Sequence, residues 1–233
     1  MSNGMTNIFC FPHAGGSASN YKIFSKAFPE EVGRVIPIEI PGRGRRSTEP
    51  FADTLEDCVL SSLDQIDTDA GEYYLHGHCM GALLAFEAVK YLESHGRRKP
   101  RLLIVSGRNA ACYQTDWGLR VAGLDDQSLF DELSKVGGVP RGLSYAMAQQ
   151  FLSVIRRDQK IVHAYKANDT RVSVPILVLA GKSDTMTNQD ALSQWKDFTT
   201  GEVTVKMLEG EHYFIYDQAE NFAQAVESFM ECV

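Results

Sequence analysis

At 233 residues, 44% of them apolar, the chain is long enough to bury one substantial core, and a single domain covering 1–233 is the simplest reading. A formal charge of −7, from 23 Lys and Arg against 30 Asp and Glu, excludes non-specific nucleic-acid binding, because no excess of cations is available to displace phosphate counterions. The chain has no apolar run of about 18 residues and no basic segment leading into a long apolar one, so neither a membrane span nor a signal peptide is expected, and the expected location is the cytoplasm.

Strand-type and helix-type patterns alternate from end to end. The first strand is expected over 8–11. It opens into the glycine-rich loop Phe11-Pro12-His13-Ala14-Gly15-Gly16-Ser17, which lacks the GxxxxGK[ST] spacing of a phosphate cradle. A second strand over 35–40 leads to a basic cluster of Arg43, Arg45 and Arg46, and a third over 73–76 leads to Gly77-His78-Cys79-Met80-Gly81. From there Met80, Leu83, Leu84, Phe86, Ala88, Val89 and Leu92 give the pattern of a buried helix, with Gly96 placed to end it. Another basic cluster, Arg97, Arg98, Lys99 and Arg101, precedes a strand over 102–106.

The alternation then breaks. Residues from about 116 to 167 carry helical patterns at 126–135 and 144–165, the turn Gly137-Gly138-Val139-Pro140 and a third basic cluster, Arg156, Arg157 and Lys160. Such an insertion, at the carboxyl edge of the strands, reads as a lid or as a fixed extra layer. Its Trp117, Phe130, Tyr145 and Phe151 are candidates to line an acyl channel. Each basic cluster is either a solvated face or a docking patch for an acidic partner. Strands over 176–180 and 203–208 complete a mostly parallel α/β sheet covered on both faces.

Gly77-His78-Cys79-Met80-Gly81 joins a strand to a helix and holds a thiol at the bend, the pattern of a nucleophile elbow. A helix N-terminus there favours a thiolate and an oxyanion formed beside it. A nucleophile needs a base, and the base an orienting carboxylate. Asp184 follows the strand over 176–180 directly and is preferred to Asp190. His212 follows the last strand and is preferred to His13, His76, His78, His95 and His163. Backbone N–H groups of Ala14 and Met80 are the expected oxyanion donors. Cys10, Cys58, Cys112 and Cys232 form no CxxC pair and read as packing residues; no metal or organic cofactor is required.

Phe11-Pro12-His13-Ala14-Gly15-Gly16, the segment Pro41-Gly42-Arg43-Gly44-Arg45-Arg46-Ser47-Thr48-Glu49-Pro50, the elbow at Cys79, Gly181 to Asp184 and Gly210-Glu211-His212 together resemble the type II thioesterases of nonribosomal peptide and polyketide synthesis. The resemblance spans nearly the whole chain. It implies a stand-alone α/β-hydrolase and hydrolysis of acyl groups from the phosphopantetheine arm of acyl or peptidyl carrier proteins, an editing task; a monomer is expected. That family ordinarily has serine at the elbow, where this chain has Cys79. An acyltransferase with the same triad and a non-catalytic binding module are the competing readings.

Overall fold

Alternation of apolar side chains sorts the chain into layers. A computed structural model describing residues 6–29, 32–69, 71–140 and 142–230 contains strands β1 (Asn7–Phe11), β2 (Arg34–Pro37), β3 (Tyr73–His78), β4 (Leu102–Ser106), β5 (Ile176–Gly181) and β6 (Val203–Leu208). They form one sheet in the order β2-β1-β3-β4-β5-β6, and every described pairing is parallel. The α-helices are α1 (Phe24–Ala27), α2 (Leu55–Leu60), α3 (Met80–Ser94), α4 (Asp116–Ala122), α5 (Asp126–Lys135), α6 (Tyr145–Ala164), α7 (Phe214–Asp217) and α8 (Ala219–Met230).

Successive strand residues point to opposite faces. Phe9, Leu75, Leu103 and Val178 pack with α2 and α3, while Ile8, Tyr74, Ile104 and Leu177 pack with α1 and α8. The central strands are buried on both sides, so their sequences read as continuous apolar runs. The strand expected over 35–40 stops at Pro37 because Gln65 captures the backbone of Glu39. The Glu39 N–H donates to Gln65 Oε1 at 3.0 Å, and Gln65 Nε2 donates to the Glu39 carbonyl at 2.8 Å.

Helices α4, α5 and α6 occupy the interval between β4 and β5 and carry an apolar cluster of their own around Val121, Leu129 and Leu152. Because all six strands run the same way, the loops after β1, β3, β4, β5 and β6 emerge at one edge. Cys10 and Cys58 are buried as expected of packing residues, whereas Cys112 is exposed, and Cys232 lies outside the described residues.

Candidate active site

β3 ends at His78 and α3 begins at Met80, so Cys79 alone makes the turn. It is the one non-glycine residue with positive φ among the described residues (φ 55°, ψ −114°). Such a conformation is costly for a residue with a Cβ and persists only where the surroundings enforce it. Here they do. A Cβ on Gly77 would lie 1.9 Å from the Gly81 carbonyl oxygen, and one on Gly81 would lie 2.3 Å from that of Phe11. The Cys79 N–H is also tied to the Ser106 carbonyl of β4 at 2.9 Å.

Asp184 and His212 meet at the same edge. His212 Nδ1 donates to Asp184 Oδ2 at 2.9 Å with both side chains buried, and Asp184 Oδ1 accepts from the Met186 N–H at 2.8 Å. That bond fixes the imidazole tautomer and leaves Nε2 buried with no hydrogen bond of regular geometry. Cys79 nevertheless acts on the ring. Burial alone would lower the His212 pKa, yet the Asp184 carboxylate and the Cys79 sulfur raise it. Burial likewise would raise the Cys79 thiol, but His212, the Arg108 charge and the Met80 N–H bring it below its ordinary value. Desolvation also opposes ionisation of Asp184, but the charge of His212 together with the hydrogen bonds from His212, the Met186 N–H and Thr187 leaves that carboxyl lowered. Of the other thiols, burial pushes Cys58 up to about 12 and Cys10 higher still.

The rival residues have other occupations. Asp190 is exposed. His76 and His78 both meet Ser106 Oγ at 3.0 Å, His95 stacks on Tyr91 with ring centroids 3.8 Å apart, and His163 meets the Gly118 carbonyl at 3.1 Å. Two rivals, His13 next to Ala14 and His78 next to Cys79 in the chain, are nonetheless neighbours of His212 as well. The His78 ring centroid is 4.9 Å from that of His212, and His13 packs against His78 at 6.2 Å. Burial keeps both imidazoles neutral, lowering His13 to about 4 and His78 well below its ordinary range, so they tolerate a cation next door.

Cys79 and His212 open onto a cavity of about 70 Å³ shared with Ala14, Met80, Arg108 and Trp117. Ala14 and Met80, the two expected oxyanion donors, therefore line the same cavity as Cys79, and α4, α5 and α6 cover it through Trp117, Leu133 and Ile155. Of the four aromatic channel candidates only Trp117 reaches it; Phe130, Tyr145 and Phe151 pack within the insertion. Arg108, which no motif marked, follows β4 and stands buried in the cavity wall. Arg43 is no part of a solvated face: it is 8% exposed and pairs with Asp158. No group of three or more His, Cys, Asp or Glu poised for a metal occurs among the described residues.

A family model described as a thioesterase domain matches residues 6–230. The chain belongs to the thioesterase family. This thioesterase is 33% identical over 214 residues to the probable cadicidin biosynthesis thioesterase of Streptomyces griseus, with 89% of the chain aligned to 58% of that relative's length. It is 31% identical to the gramicidin S biosynthesis protein GrsT of Aneurinibacillus migulanus, covering 90% of this chain and 83% of GrsT. Among solved structures, it superposes on ClbQ from the colibactin NRPS/PKS pathway with a TM-score of 0.87 at 26% identity, covering 98% of each chain. RedJ, the thioesterase of the prodiginine pathway in Streptomyces coelicolor, gives 0.86 at 27% identity, covering 96% of this chain and 85% of RedJ. The α/β sheet described above is thus the α/β-hydrolase fold of these thioesterases.

Proposed function

We propose that this thioesterase clears acyl, aminoacyl or peptidyl groups from the phosphopantetheine arm of carrier proteins in a nonribosomal peptide or polyketide pathway, with Cys79 as nucleophile, His212 as base and Asp184 as its orienter. The observation that carries the reading is the 2.9 Å bond from His212 to Asp184 at the sheet edge that also bears the strained elbow of Cys79. Raised imidazole and lowered thiol together favour a thiolate–imidazolium pair. The thiolate adds to the thioester carbonyl, and the oxyanion that forms is held by the N–H groups of Ala14 and Met80. Collapse breaks the bond to the pantetheine sulfur, which leaves with the proton of His212. Water, deprotonated by the now neutral His212, then attacks the acyl-cysteine; the second collapse frees the acid and restores the Cys79 thiolate.

Cysteine at the elbow suits this substrate. Acyl transfer from one thiol to another is nearly balanced in energy, and the acyl-cysteine stays more reactive toward water than an oxygen ester. The chemistry needs neither metal nor organic cofactor. We further propose that α4 to α6 act as a lid over the cavity of a single domain, and that the protein works as a cytoplasmic monomer; no described helix is long and apolar enough to cross a membrane. Incubation with a carrier protein loaded with a short acyl group tests the reading: release of free acid with return of the holo-carrier is expected. Transfer of the acyl group to an added amine in preference to water would instead mark an acyltransferase.

A further inference from the structure

The loop that carries Ala14 is held from outside itself. The Gly15 N–H donates to Asp158 Oδ2 at 2.7 Å, and the carbonyl of the same peptide unit, on Ala14, meets His13 Nδ1 at 2.9 Å. Both polar groups of the Ala14–Gly15 peptide are thereby fixed. Asp158 is completely buried, and it also receives Arg43 in bidentate fashion, Nη1 to Oδ2 at 2.6 Å and Nη2 to Oδ1 at 2.7 Å. Arg43 in turn donates to the Gly16 carbonyl at 3.2 Å. Three distant segments converge on this one carboxylate: the loop after β1, the loop after β2 and helix α6. Contact is close, since a Cβ on Gly15, whose φ is +76°, would lie 2.3 Å from Ile155 of α6.

A fully buried carboxylate is expensive unless it is paired and its lone pairs are filled. Fold stability alone does not call for one here, because buried ion pairs are often replaced by apolar residues at no loss. What the charge adds is direction. Charge-assisted bonds to a backbone N–H fix a peptide plane more tightly than van der Waals packing can, and an oxyanion donor works only when it is aimed before the reaction.

We infer that Asp158 is a positioning residue: by holding the Gly15 amide and the Arg43 guanidinium, it aims the adjacent Ala14 N–H at the acyl oxygen and locks that donor to helix α6. This rests on the assignment of Cys79 as nucleophile and of Ala14 as oxyanion donor. It also ties α6 to the loop after β1, so that within the proposed lid α6 is the fixed side and opening of the cavity falls to α4, α5 and the turn after them.

Two readouts separate this role from a merely structural one. Hydrolysis of a short acyl-pantetheine thioester passes through an oxyanion, whereas alkylation of Cys79 by iodoacetamide does not. Asp158→Asn removes the charge and sets an amide NH2 against Arg43 Nη2 in place of Oδ1, or against Gly15 N–H and Arg43 Nη1 if the amide is turned over; it is expected to lower kcat by about a hundredfold, the scale of a lost oxyanion donor, while KM and the alkylation rate stay within about twofold. The double variant Arg43→Met/Asp158→Leu replaces the whole pair by apolar groups and keeps the test open if the single variant folds poorly; the same split is expected. Asp158→Glu, with the charge retained, is expected to recover part of kcat. Unchanged kcat in a folded variant, or alkylation and hydrolysis falling together, would overturn the inference. A failure of the nucleophile assignment looks different, since Cys79→Ala would then still hydrolyse the thioester.

Discussion

Three cysteines sit in contrasting electrostatic environments. Cys10 and Cys58 are pushed up by burial, while Cys79, next to His212, Arg108 and the first amide of α3, is brought down. The thiolate is the reacting form, so a lowered pKa keeps alkylation fast at pH values where an ordinary thiol is protonated. Iodoacetamide labelling of Cys79 should therefore persist well below the ordinary thiol pKa of about 8.5, and His212→Ala should move the onset upward toward it; identical onsets would disconnect ring from sulfur. Asp184→Asn removes the charge that raises His212 and should lower kcat by roughly a thousandfold or more with little change in KM, measured by steady-state hydrolysis. The three side chains were legible in the sequence because each sits one turn past an apolar strand. The pairing of Arg43 with Asp158 was not, because partners 115 positions apart leave no local pattern.

At the scale of elements, the elbow is the most constrained joint in the fold. Its glycines are fixed by close approach, since a methyl group at either would overlap a backbone carbonyl that has nowhere to move. Gly77→Ala or Gly81→Ala should lower unfolding stability by about 3 kcal/mol or more, read from chemical denaturation midpoints, or prevent folding. A shift under about 0.5 kcal/mol, the scale of a surface change, would show that the elbow relaxes freely. Helix and strand boundaries followed from the sequence pattern at α5, β4 and β6, with Asp125 capping the start of α5 and Gly107 and Glu209 following the two strands. β2 ends early and α4 forms a separate helix for reasons that lie in tertiary contacts: Gln65 takes the Glu39 backbone, and Trp117 and Val121 find apolar partners in α5 and α6.

Across the whole molecule, the parallel sheet separates two edges by about 17 Å, the length of a five-residue strand, and the site occupies the carboxyl edge. Arg97, Arg98, Lys99 and Arg101 lie at the start of β4, on the amino edge, and three of them are engaged locally, with Thr68, Ser173 and Glu72. On the proposed function a carrier protein presents its arm at the other edge, and α6, which covers the cavity there, exposes Arg157 and Lys160. Charge reversal of Arg157 and Lys160 is expected to raise KM for an acyl-carrier substrate and leave a small pantetheine thioester unaffected, whereas reversal of Arg98 and Lys99 should change neither; the opposite pattern would move the docking face. The proposed nucleophile is tested most directly by mass spectrometry, of the intact chain and of its peptides, after mixing with a short acyl-pantetheine thioester. The wild-type chain should gain the mass of one acyl group on the peptide containing Cys79 and release free acid, Cys79→Ser should acylate and turn over more slowly, and Cys79→Ala should do neither. Free acid formed equally fast by Cys79→Ala and wild type, with no adduct on either, would contradict a cysteine-based thioesterase.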